Sequence, residues 1–160
     1  MPKIKKRTST VISLILALSV MLTLAAVMIA LPFVIEDAPM MTLVKDYFDE
    51  KTVLGISGTT AFWCWFYLDC IIAEICCTAI VFLLIRVRRR LVFSPLSVAI
   101  LRFVSWGFIL IAFTCFAATV YFRMAIILAL VFSFLGLCLR VVKNVLEEAT
   151  AIKDENDLTV

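Results

Sequence analysis

Asp69, Glu74 and Arg102 are ionisable side chains set in stretches that are otherwise almost wholly apolar. Such groups inside a hydrocarbon-compatible segment are costly, and they mark ion pathways, proton relays or buried pairs. Asp69 and Glu74 are five residues apart, a rotation of about 500° on a helix, so they lie about 140° apart around the axis. They do not make one shared carboxylate pair. Trp63, Trp65 and Tyr67 precede Asp69 as an aromatic belt does at a membrane interface, so Asp69 reads as an interface residue with Arg123 as its partner. Glu74 lies about 7 Å deeper. It reads as a group that pairs with another helix, stays protonated or lines a polar path. Arg102 lies near a helix end and reads as a snorkelling side chain. Its depth, about 10 Å up its own helix against about 18 Å for Glu74, argues against a direct Arg102–Glu74 pair.

Other chemistry is hard to build from this composition. The chain has no histidine, which removes the commonest general base and metal ligand together. Cys64, Cys70, Cys76, Cys77, Cys115 and Cys138 form no C-x-x-C, so zinc and dithiol readings fail on spacing. In apolar segments cysteine acts as a small filler; Cys64 is the exception, near the outer surface. There is no nucleotide loop, H-E-x-x-H or nucleophile elbow. The expectation is a protein that is not an enzyme, with no catalytic residues, no cofactor and no metal site.

The elements that must position these groups are membrane spans. Of 160 residues, 64% are apolar. A soluble domain carries about 45–50%, and a chain this small cannot hide the excess in a core. The expected fold class is all-α: a four-helix transmembrane bundle, one domain over residues 1–160, with spans at about 11–31, 61–85, 98–120 and 125–140. Pro32 is expected to end the first span, which reads as a retained helix rather than a signal peptide because it is too long and lacks a good cleavage site. Residues 32–60 form an acidic outer loop with a short surface helix near Leu43–Phe48, and Gly55, Ser57, Gly58 and Thr59 read as loop. That segment is either a solvated loop or an element that contacts a ligand or partner. Ser94 is placed to cap the third helix, with Pro95 in its first turn. Small residues recur every four positions at Ala125, Ala129 and Ser133, followed by Gly136, and at Ser13 with Ala17 and Thr114 with Ala118, as helix contacts require.

Beyond Arg140, Val141, Val142, Val145, Leu146, Ala149 and Ile152 recur at helical spacing, with Lys143 and Glu147 four apart. The fourth helix is therefore expected to extend as a cytoplasmic amphipathic helix through a 141–160 tail. Lys3, Lys5, Lys6, Arg7, Arg86, Arg88, Arg89, Arg90, Arg102, Arg140, Lys143 and Lys153 are twelve of the fifteen basic residues. All fall on one side of such a layout, and the positive-inside rule puts both termini in the cytoplasm of a plasma-membrane protein.

Two stretches carry a resemblance. Phe93-Ser94-Pro95-Leu96-Ser97-Val98-Ala99-Ile100-Leu101-Arg102 resembles the inner loop and third-helix start of a bacterial family of small four-span membrane proteins, domain-of-unknown-function family 2975. The terminus Glu155-Asn156-Asp157-Leu158-Thr159-Val160 is similar to that family's closing segment. This chain has Leu91-Val92 after Arg90, where the family carries polar residues. The resemblance implies no activity, but it does imply an association with small helix-turn-helix regulators encoded nearby.

The expected function is that of a non-enzymatic sensory or regulatory membrane partner. Arg86, Arg88, Arg89, Arg90, Glu155, Asn156, Asp157 and Leu158 are the candidate contacts to partner or lipid. The alternative is a small transporter, or a subunit of one, using the carboxylates of Glu74 and Asp69. The expected partners are the lipid bilayer and a small cytoplasmic helix-turn-helix regulator, without direct contact to nucleic acid; a homo-oligomer stays open.

Overall fold

The computed structural model describes residues 3–37, 52–53, 55–89 and 91–158. Four long helices account for nearly all of them: α1 (Lys3–Asp37), α2 (Gly58–Arg88), α3 (Pro95–Ala118) and α4 (Ala125–Leu158). A two-stranded antiparallel hairpin, β1 (Thr52–Val53) and β2 (Ile56–Ser57), precedes α2. The remainder of the acidic loop between Ala38 and Lys51, Arg90, and the last two residues lie outside the described residues. So do the side chains of Asn156, Asp157 and Leu158.

All four helices are long and apolar enough to cross a membrane, over Thr10–Val34, Gly58–Arg88, Pro95–Ala118 and Ala125–Lys153. A helix needs about 20 such residues to span roughly 30 Å of hydrocarbon. Packing follows chain order, with α1 mainly against α2, α2 against α3, and α3 against α4. The helices thus form a row in which the two inner members each have two principal neighbours and the outer members have one. α3 is the centre: 39% of its most apolar stretch is buried inside the protein, against none of that of α1.

The α3–α4 seam has the spacing of an antiparallel coiled coil. Ser97, Leu101, Val104, Phe108, Ile111, Cys115 and Ala118 are the buried and half-buried positions of one face of α3. Ala125, Ala129, Phe132, Gly136, Leu139, Lys143, Leu146 and Thr150 are those of α4. Steps alternating between three and four keep a contact line facing its partner. This corrects the expected small-residue ridge: Ala125, Ala129 and Gly136 are in the seam, but Ser133 is exposed. A strict four-residue step drifts about 40° each time, and Phe132 holds the seam instead.

Two glycines allow close approach. A Cβ on Gly107 of α3 would overlap Sγ of Cys76 on α2. One on Gly136 of α4 would stand 2.9 Å from Cγ1 of Ile109 on α3. Beside the second contact, Ser105 Oγ donates to the Gly136 carbonyl at 2.9 Å.

Pro32 does not end α1; it lies inside the helix, which runs on to Asp37. Proline removes the N–H that would bond the carbonyl four residues earlier, here that of Met28. The Tyr67 hydroxyl of α2 donates to that carbonyl at 3.4 Å. In lipid a freed backbone group needs such a substitute.

Helix starts obey local rules. Ser57 caps α2 by accepting from Thr60 N, so Gly58 and Thr59 belong to its first turn and not to a loop. Gly55 takes the positive φ of 79° that the hairpin turn requires. Ser94 caps α3 and Pro95 opens it, as the sequence indicates. The α3–α4 turn closes on the Ala118 carbonyl, which accepts from Tyr121 N at 3.0 Å and Phe122 N at 2.8 Å.

Candidate functional site

The row has two chemically different ends, a turn end holding the α3–α4 turn and a loop end holding the α2–α3 loop. The turn end is aromatic. Phe62 and Trp65 pack on Phe122 with ring centroids 5.7 and 5.9 Å apart, and Trp63 stacks on Tyr67. Tyr121 Oη donates to the Val53 carbonyl at 3.0 Å, tying the hairpin to the α3–α4 turn.

Asp69 lies one turn below this cluster, on the α2 face that meets α3. Thr114 Oγ1 donates to Asp69 Oδ1 at 2.5 Å, and Cys115 Sγ approaches Oδ2 at 3.4 Å. The expected Arg123 partner is not the one observed; Arg123 is exposed in the turn. Thr114 Oγ1 also stands 2.8 Å from the carbonyl of Ile111 in its own helix. One hydroxyl proton cannot serve both acceptors at full strength, so Thr114 shares it. The Trp65 indole N–H, one turn before Asp69 on the same face, lies close to the carboxylate without meeting hydrogen-bond geometry. Among the described residues it is the one buried polar side-chain atom without a partner.

Glu74 is placed differently. It shares a helical face with Tyr67, seven residues away or about −20° around the axis, and that is the face Tyr67 turns to α1. Glu74 is half-buried, and among the described residues its carboxylate has no hydrogen bond or ion pair. Asp69 and Glu74 therefore belong to two different helix contacts and do not converge.

The loop end concentrates charge. Arg102 Nη2 bonds Glu147 Oε1 at 3.1 Å, and Lys143 Nζ pairs with Oε2 of the same carboxylate. The Lys143–Glu147 pairing agrees with their spacing. The Arg102 bridge crosses from α3 to α4 and was not legible, because it depends on which faces meet. Arg140 stacks its guanidinium over the Trp106 ring, with Cζ 4.6 Å from the centroid. Arg86 turns into the α2–α3 loop: Nη2 donates to Ser94 Oγ at 2.9 Å and Nε to Ser97 Oγ at 3.5 Å. Ser97 Oγ in turn donates to the Leu91 carbonyl at 3.1 Å. Arg86 thus braces the α3 cap, while Arg89 is exposed and Glu155 stands exposed near the end of α4.

The residues that sequence reasoning missed are Thr114 as the Asp69 partner, Trp106 as the Arg140 platform, and Glu147 as a bridge between helices. Only Thr114 carried a signal, as a small residue at contact spacing.

Four apolar helices in a row, with most charged groups gathered at the two ends and few polar groups between them, define the class: an all-α protein of the multi-pass membrane type. The family model described as "Protein of unknown function (DUF2975)" matches residues 49–160, well over half of the chain, and the protein belongs to that family. No curated protein and no solved structure matches the chain.

Proposed function

We propose that this is a non-enzymatic regulatory protein of the bacterial plasma membrane, with both termini and the loop end in the cytoplasm. The observation that carries the proposal is α4. It runs without interruption for 34 residues, a length of about 51 Å, against about 30 Å of hydrocarbon. Its seam with α3 continues to Thr150, so the part beyond the membrane stays oriented by the spans. Beyond the membrane level the opposite face presents Val145 and Ile152, each more than half exposed, beside Glu148 and Lys153. An apolar stripe flanked by charge is what a helix-in-groove partner reads. At the far end, the Tyr121–Val53 hydrogen bond joins the outer hairpin to the same helix pair, which supports a signal that enters there.

The partner we propose is a small soluble helix-turn-helix regulator, held by the Val145–Ile152 face together with the Glu155–Leu158 end. Capture of that regulator by the full chain, by a chain ending at Leu146 and by a Val145→Glu/Ile152→Glu variant tests this. The full chain is expected to retain it, and both altered chains are expected to lose it. Equal capture by all three would overturn the proposal.

Transport is the weaker reading. A transport site brings several polar groups together or breaks its helices. Here Asp69 is engaged with Thr114, Glu74 faces another way, and the four helices are unbroken.

A further inference from the structure

Trp106 stands between two concavities of opposite character. On its α4 side is a cleft of about 40 Å³ lined by Arg102, Ser105, Trp106, Arg140 and Lys143. On its α2 side is a groove of about 250 Å³ lined by Ile72, Ile75, Cys76, Phe103, Trp106, Gly107 and Leu110, almost entirely apolar. A site of at least about 10–15 Å³ accepts one water, so the small cleft has room for a few waters or one tetrahedral oxyanion. The groove exists because Gly107 lets α2 and α3 close at Cys76.

The cleft is cationic beyond what its neighbours neutralise. Three cations line it, and one carboxylate, Glu147, takes Arg102 on one oxygen and Lys143 on the other. Among the described residues Arg140 is engaged by the Trp106 ring face alone, which leaves its N–H edges available to an acceptor in the cleft. Arginine presents a planar fork suited to two phosphate oxygens at once. Depth agrees. Counted from the α3–α4 turn, Arg102 and Arg140 lie about 24 and 23 Å along their helices and Lys143 about 27 Å, near the far edge of a roughly 30 Å slab. That is the level of lipid phosphates, and the exposed Phe103 and Trp106 beside it meet acyl chains.

We propose that Arg102, Arg140 and Lys143 hold the phosphate of an anionic glycerophospholipid, with one acyl chain in the apolar groove on the other side of Trp106. The site builds on the membrane reading but is independent of any soluble partner. Glu147 competes with the lipid for two of the three cations. The exposed arginines of the α2–α3 loop are not part of it.

Native mass spectrometry of the delipidated full-length protein, titrated with phosphatidylglycerol or with phosphatidylcholine of the same acyl chains, tests the site. One phosphatidylglycerol is expected to bind in preference to phosphatidylcholine. At about fivefold per cation, Arg102→Gln/Arg140→Gln should weaken it about 25-fold. Arg88→Gln/Arg89→Gln should leave it unchanged, and Glu147→Gln should tighten it. Inorganic phosphate and glycerol 3-phosphate, which lack acyl chains, should not displace it. Equal binding of the two lipids, unchanged binding in the cleft variant, displacement by inorganic phosphate, or weakening by Glu147→Gln would each overturn the proposal. If the cleft variant does not fold, Glu147→Gln decides the matter, because it adds no bulk and removes only the competing charge.

Discussion

The α3–α4 seam and the α1–α2 contact are both antiparallel-type contacts of apolar helices, yet they are built to different standards. The first has an unbroken three–four stripe, a glycine where the two backbones approach closely and an interhelical hydrogen bond from Ser105 to Gly136. On α1 the second has half-buried positions, at Leu14, Ala17, Met21, Leu24, Met28 and Leu31, and it carries a long hydrogen bond from Tyr67. The stripe spacing is the same in both cases. What differs is how close the backbones come, and close approach with van der Waals packing is what joins helices in lipid, where there is no hydrophobic gain. α2 belongs to both worlds. Its Asp69 face is knotted to α3, and its Glu74 face meets the looser neighbour.

This difference can be broken deliberately. The largest effect is expected from Gly107→Val or Gly136→Val, which overpack the inner seams and should cost about 2–3 kcal/mol of stability. Ala17→Val in α1 should fall within about 0.5 kcal/mol of the parent. Unfolding in detergent micelles measures both. Similar losses at all three positions would erase the distinction between the two contacts.

The carboxylates should respond with opposite signs. Asp69→Leu removes the acceptor of Thr114 and Cys115 and is expected to destabilise by about 1–2 kcal/mol. Glu74→Leu removes from a span an ionisable group that has no partner among the described residues, and is expected to stabilise by about 1 kcal/mol. A loss on Glu74→Leu would mean that its carboxylate has a structural partner. The smallest effect concerns Pro32. Tyr67→Phe should cost about 0.6 kcal/mol. In a Pro32→Ala background that cost should vanish, because residue 32 then supplies its own N–H to the Met28 carbonyl. A double-mutant cycle with no coupling would show that Tyr67 does not serve that carbonyl.

Much of the architecture was legible because membrane spans are written in composition. Twenty consecutive apolar residues and the charges between them locate a helix without any knowledge of packing. The caps at Ser57 and Ser94 also follow local rules, although only Ser94 was recognisable beforehand, through its Pro95. What was not legible depends on which faces meet. Depth alone matches Asp69 to Arg123, but a threonine at the right height on α3 is a nearer donor to the carboxylate than a cation exposed in a turn. Position near a helix end makes Arg102 read as a snorkelling side chain, whereas the α3–α4 seam brings Glu147 alongside it. Pro32 read as a stop because the sequence does not show that Tyr67 stands ready to take up the carbonyl that proline releases.

The regulator face and the lipid cleft both lie at the loop end, and the functional reading depends on that end being cytoplasmic. Reporter fusions test this most directly: green fluorescent protein joined after Val160, and alkaline phosphatase inserted between Leu54 and Gly55 in the hairpin. The expectation is a fluorescent C-terminal fusion and an active phosphatase in the hairpin. A dark C-terminal fusion with an inactive hairpin phosphatase would place the loop end outside and contradict the proposed function.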